Sequence, residues 1–74
     1  MAEILDLRGV PCPANTARAV LRLETMADGD VLTLLLDDGE PVANVPPAVV
    51  EEGHAIIERA REAGGWRLAV RRGG

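Results

Sequence analysis

The run VLTLLLDD, residues 31–38, constrains the fold more than any other part of the chain. It is rich in apolar and β-branched residues and closes on two acids, as a strand does. Apolar side chains fall at both odd and even positions, so both faces of that strand have to be covered. Such a strand takes a central place in a sheet, and the rest of the 74 residues must build the sheet around it.

Two further strands follow from alternation. Residues 4–8, ILDLR, put Leu5 and Leu7 on one face and Ile4, Asp6 and Arg8 on the other, and Gly9 ends the run. Residues 66–72, WRLAVRR, put Trp66, Leu68 and Val70 inward and Arg67, Ala69 and Arg71 outward. From Pro13 to Met26 the pattern is helical. Thr16, Ala19, Val20, Leu23, Met26 and Ala27 share a face, Arg18, Arg22 and Thr25 lie opposite, and Leu21 falls off the stripe. Asp28-Gly29-Asp30 is a turn.

Residues 39–47, GEPVANVPP, are expected to be loop, with Asn44 as a cap. Pro46 and Pro47 suit only the start of the short helix expected to follow, to about Glu52. Residues 53–63 stay open. Their Ala, Glu and Arg content favours helix. Gly53 and the Ile56-Ile57 pair favour a strand, with a hairpin through Glu62-Ala63-Gly64-Gly65 into the last strand. The order strand, helix, strand, helix, then one or two strands gives a two-layer α/β sandwich with both helices on one face. Arg67 and Arg71 then lie on the open face, with Arg59 and Arg61 as further candidates for it.

A chain of this length is expected to form one domain, residues 1–74, with a modest core and a small margin of stability. Hydrophobic content of 47% with 27% charge argues against disorder. Trp66 is the only aromatic residue, so the core is aliphatic and a surface built on stacking of bases is implausible. One cysteine allows no internal disulfide and no multi-cysteine metal site. The start, MAEILDLRG, reads as neither a signal peptide nor a spanning helix, which makes the cytoplasm the expected compartment and keeps the thiol reduced. The net charge of −4 gives no general attraction to nucleic acid or anionic lipid. No cofactor and no metal is expected.

Cys12 lies between Pro11 and Pro13 at the entrance of the first helix. Unpaired backbone N–H groups and the helix dipole favour negative charge there, so a thiolate would be stabilised. Arg8 could add positive potential, and the two prolines stiffen the loop so that the sulfur has a defined direction. The only histidine, His54, is far along the chain, so a Cys-His hydrolase lacks support, and a dithiol oxidoreductase lacks its second cysteine. The remaining chemistry is a nucleophile that accepts a group and hands it on: a persulfide carrier, a mixed-disulfide adaptor or a redox-sensing thiol. A small, inert structural cysteine stands beside these as the alternative.

LDLRGVPCP at 5–13, GDVLTLLLDD at 29–38, NVPP at 44–47, EGH at 52–54 and the final WRLAVRR together resemble the TusA/SirA-like sulfur carrier family. The resemblance implies an α+β fold, a βαβαββ sandwich with both helices on one face of a four-stranded mixed sheet, and so resolves residues 53–63 as strand. It implies that Cys12 bears a persulfide and that Pro13 is the first proline of a Cys-Pro-x-Pro motif. From their place in the loop, Arg8, Gly9, Pro11, Pro13 and Asn15 are expected to bind or orient around the sulfur. The resemblance further implies a cysteine desulfurase or rhodanese-like sulfur donor and a downstream acceptor protein; the charge balance and the N-terminal sequence add the expectation of no membrane and no direct nucleic-acid partner. Whether such a carrier counts as an enzyme is open, because it shuttles sulfur rather than turning over a substrate alone. Asn15 departs from the motif's second proline, and Gly39 stands where relatives often have proline.

The other marked residues have plain structural readings. Asp37 and Asp38 are expected to be a solvated strand terminus. His54 is expected to be a satisfied structural histidine and Trp66 a core anchor. Arg67, Arg71 and Arg72 are expected to line a solvated strand face, with docking as the alternative. Leu21 is a candidate hydrophobic contact for a partner. Two rival functions remain: a non-catalytic interaction or regulatory module of the same fold, and an RNA-binding module.

Overall fold

A computed structural model describes residues 2–73. Its elements are β1 (Ala2–Asp6), α1 (Ala14–Glu24), β2 (Val31–Asp37), α2 (Glu40–Glu51), β3 (Ala55–Glu62) and β4 (Gly65–Arg71). The four strands form one mixed sheet in the order β1-β2-β4-β3. β1 runs parallel to β2, and β4 runs antiparallel to both β2 and β3. Residues 55–62 are therefore strand, and the architecture is the α+β sandwich of βαβαββ order.

β2 is an interior strand, as its two apolar faces require. Leu32, Leu34 and Leu36 are fully buried on the face that carries the helices. They join Leu7 before α1, Ala19 and Leu23 of α1, Val42, Val45 and Val49 of α2, and Leu68 and Val70 of β4 in one aliphatic cluster. Each leucine or valine so buried contributes about 1.5–3 kcal/mol. Trp66 packs on the cluster's edge, only partly buried, rather than anchoring it.

The second helix differs from expectation. It begins at Glu40 and runs through Pro46 and Pro47, so residues 40–47 are not loop and Asn44 is an exposed mid-helix residue rather than a cap. The N-cap is Gly39, whose φ of 93° and ψ of −130° suit glycine alone. Interior prolines remove helical hydrogen bonds, at about 3 kcal/mol each. Val42, Val45, Pro46 and Val49 nevertheless form one buried stripe at helical spacing, and that burial carries the helix through the prolines.

A bulge in β3 produces a second difference. Ile56 pairs with Val70 and Glu58 with Ala69, so Ile57 is an extra residue that reverses which face the following side chains take. Arg59 and Arg61, opposite Leu68 and Trp66, consequently lie on the helix-bearing side of the sheet and not on the open face. Arg67 and Arg71 do occupy the open face, with Ala69 between them buried by its neighbours rather than exposed.

Ion pairs fasten the layers. Arg22 of α1 bonds Glu3 of β1, so it is half-buried instead of facing solvent. Arg72 donates Nε–H to the Leu23 carbonyl at 2.8 Å and pairs with Asp28, closing the C-terminal end of α1 instead of lining a strand face. Ala27 lies exposed beyond that helix, while Leu21 is exposed on it as expected. Among the described residues no helix is long and apolar enough to cross a membrane.

Candidate functional site

The segment from Leu7 to Pro13 links β1 to α1 and is closed at both ends. Leu7 is buried, and its N–H donates to the Leu35 carbonyl at 2.9 Å, extending the β1–β2 pairing past the strand. The Val10 N–H turns back to the Leu7 carbonyl at 3.1 Å. On the helix side, Asn15 N–H donates to the Pro11 carbonyl and Ala17 N–H to the Pro13 carbonyl, each at 3.1 Å. The tip between these closures holds Cys12, which is exposed and free.

Pro13 is the N-cap of α1, one residue ahead of the helix proper, and it makes no side-chain capping bond. The first turn of α1 contains no acidic residue. The partial positive charge of the helix start is therefore not neutralised by a carboxylate of that turn, and Cys12 precedes it directly in the chain.

Gly9 is held from across the sheet. Its N–H donates to Oδ2 of Asp37, the last residue of β2, at 2.7 Å. The neighbouring Asp38 turns the other way, accepting from Nε1 of Trp66 at 2.9 Å and pairing with Arg61 at 3.5 Å. The Trp66 bond first, then a bond from the Gly39 backbone, hold the Asp38 carboxyl below the usual carboxylate range, with Arg61 adding a smaller attraction. These two acids are thus anchors and not merely a solvated strand end. Their roles were hidden in the sequence because that of Asp37 depends on β1 lying parallel beside β2, and that of Asp38 on β4 pairing with β2.

Arg8 is engaged by its own strand. Its Nε and backbone N donate to Asp6 Oδ1 at 2.9 and 3.0 Å, and its terminal nitrogen donates to Oδ2 at 2.8 Å. This fork lowers the Asp6 carboxyl to about 2 from the ordinary 3.8. It also raises the Arg8 guanidinium, with Asp37 and Glu62 adding smaller attractions. The positive charge of Arg8 is therefore largely matched by carboxylates.

Asn15 is fully buried. Its Oδ1 accepts from the Thr16 N–H at 2.7 Å, while its Nδ2 has no hydrogen-bond partner. The amide thus occupies the interior behind the cysteine loop rather than its solvent face. Of the residues marked on sequence, Arg8, Gly9, Pro11 and Pro13 share the exposed or half-exposed loop with Cys12, and Asn15 lies beneath it.

His54 stands apart. It precedes β3, whose first residue pairs with Arg71 beside the start of β2, whereas Cys12 follows the end of β1. The two are at opposite ends of the sheet, so no Cys-His pair forms. His54 is buried and its Nδ1 accepts from the Gly73 N–H at 3.0 Å, tying down the C-terminal segment. Among the described residues no group of three or more His, Cys, Asp or Glu side chains is placed to hold a metal ion.

The family model described as sulfurtransferase TusA matches residues 3–72. A protein of Archaeoglobus fulgidus named as a candidate sulfur carrier is 33% identical over 72 residues, covering 95% of this chain and 81% of its own. The sulfur carrier protein TusA of Pseudomonas paraeruginosa is 28% identical over 69 residues, covering 93% and 87%. The solution structure of HP1264 from Helicobacter pylori superposes with a TM-score of 0.76 at 20% identity, over 96% of this chain and 97% of that one, and so shares the fold. With the family model matching nearly its whole length, the chain belongs to the sulfurtransferase TusA family.

Proposed function

We propose that this protein is a sulfur carrier that holds a persulfide on Cys12. The observation that carries the reading is the placement of the one thiol of the chain, exposed at the start of α1 on a loop fastened at both ends and at Gly9.

In the forward step the Cys12 thiolate attacks the terminal sulfur of a persulfide on the donor. A bond forms between Sγ and that sulfur, the donor's S–S bond breaks, and the donor cysteine leaves as a thiolate that takes up a proton. No net oxidation occurs. In the second step an acceptor thiolate attacks the same terminal sulfur, and Cys12 becomes the leaving group. The start of α1 stabilises negative charge on Sγ in both directions. Gly9, Pro11 and Pro13 hold the loop, and Asn15 supports it from below.

The donor is a cysteine desulfurase or a rhodanese-like protein, the acceptor is a downstream thiol protein, and the compartment is the cytoplasm. Membrane and nucleic acid have no direct part. The test is a two-step relay with labelled cysteine and a cysteine desulfurase. Label should reach the carrier and leave it for an added acceptor thiol, and Cys12→Ser should block both steps. Equal transfer through Cys12→Ser would overturn the reading.

A further inference from the structure

Arg59 and Arg61 of β3 both stack on the indole of Trp66, with guanidinium carbons 5.0 and 4.9 Å from the ring centroid. The β3 bulge makes this possible by turning both arginines to the face that carries Trp66. Arg61 is exposed and pairs with Asp38 only at 3.5 Å, and among the described residues no carboxylate pairs with Arg59. The indole is fixed in turn by Asp38 at 2.9 Å. Stacking on a held ring removes part of the rotamer freedom that two arginines would otherwise lose on binding. A chain of net charge −4 thereby presents a local positive site with a preset geometry.

We infer that Arg59, Arg61 and Trp66 form a docking surface for an acidic segment of a protein partner. Arginine and tryptophan are the residue types that dominate interface energetics, and a guanidinium matches a carboxylate with two parallel hydrogen bonds. The site adjoins the cysteine loop through β2: Asp38 holds the stack while Asp37, next in the chain, holds Gly9. A partner seated there is brought to the end of the sheet where Cys12 lies. An acidic peptide fits better than a nucleic-acid strand, since single strands are held by stacking successive bases on several aromatic rings and this chain has one. That the partner is a sulfur donor or acceptor rests on the sulfur-carrier reading; the surface itself does not.

Trp66 is the only aromatic residue, so intrinsic fluorescence reports this site alone. The experiment titrates the whole protein with hexaglutamate, with hexauridylate in parallel. Hexaglutamate should give a saturable change that weakens as salt is added. Arg59→Ala/Arg61→Ala should weaken it by about tenfold or more, whereas Arg67→Ala on the opposite face should leave it unchanged. Cys12→Ser should bind as the unaltered protein does, so a failure of sulfur loading and a failure of docking are read separately. No saturable change, equal binding by the double variant, or tighter binding of hexauridylate would overturn the proposal.

Discussion

Asp37 and Gly9, separated by 28 positions in the sequence, are joined by a 2.7 Å hydrogen bond from the Gly9 N–H to Asp37 Oδ2. The bond ties the loop that carries Cys12 to the end of the interior strand. Asp37→Ala should cost about 1 kcal/mol of stability and slow sulfur transfer by about tenfold, because the thiol is then held less well for attack. Asp37→Asn keeps an oxygen acceptor and should recover most of the rate. Single-turnover transfer kinetics for the two variants check this, and wild-type rates in Asp37→Ala would remove Asp37 from the site.

Asn15 is the buried amide beneath the loop. Asn15→Asp places a carboxyl where nothing exposed can solvate its charge. Burial outweighs the favourable helix dipole, so the introduced group titrates above its unfolded value near 3.9. A raised folded-state pKa means that the variant approaches wild-type stability below about pH 4 and loses it as pH rises. Urea unfolding of both proteins at acid and neutral pH should show the gap opening upward.

Asp6 gives the opposite sign. Its carboxyl sits at about 2 in the folded protein against an ordinary 3.8, chiefly through the Arg8 side chain. Its contribution is fully present above the ordinary value and is lost as pH falls from 3.8 towards about 2. Asp6→Asn should therefore flatten the stability profile within that window and leave its shape above it unchanged.

The β3–β4 hairpin turns through Ala63 and Gly64, with φ of 48° and 80°. Positive φ at both positions is the geometry that favours Asn-Gly, and it is unfavourable for alanine. Ala63→Asn should stabilise the protein by about 1 kcal/mol, seen as a higher melting temperature.

Much of this was legible in the residues. The two apolar faces of β2 required an interior strand, and the alternation of Leu5 and Leu7 gave the inward face of the first strand and its exit. The path of α2 was hidden because Pro46 and Pro47 mark a helix start by local rules, and only the buried stripe from Val42 to Val49 overrides them. One bulge residue, Ile57, moved two arginines to the other face, and no pattern in the sequence announces a bulge. The burial of Asn15 had a signal: stepping back four residues from Leu23 through Ala19 reaches position 15. The Gly9–Asp37 bond had none short of knowing which strands are neighbours.

Every step of the proposed relay depends on Cys12 accepting sulfur. Intact mass spectrometry after incubation with a cysteine desulfurase and cysteine tests it most directly. A gain of about 32 Da is expected, which disappears on reduction and is absent from Cys12→Ser. An unchanged mass in the wild-type protein, or the same gain in Cys12→Ser, would contradict it.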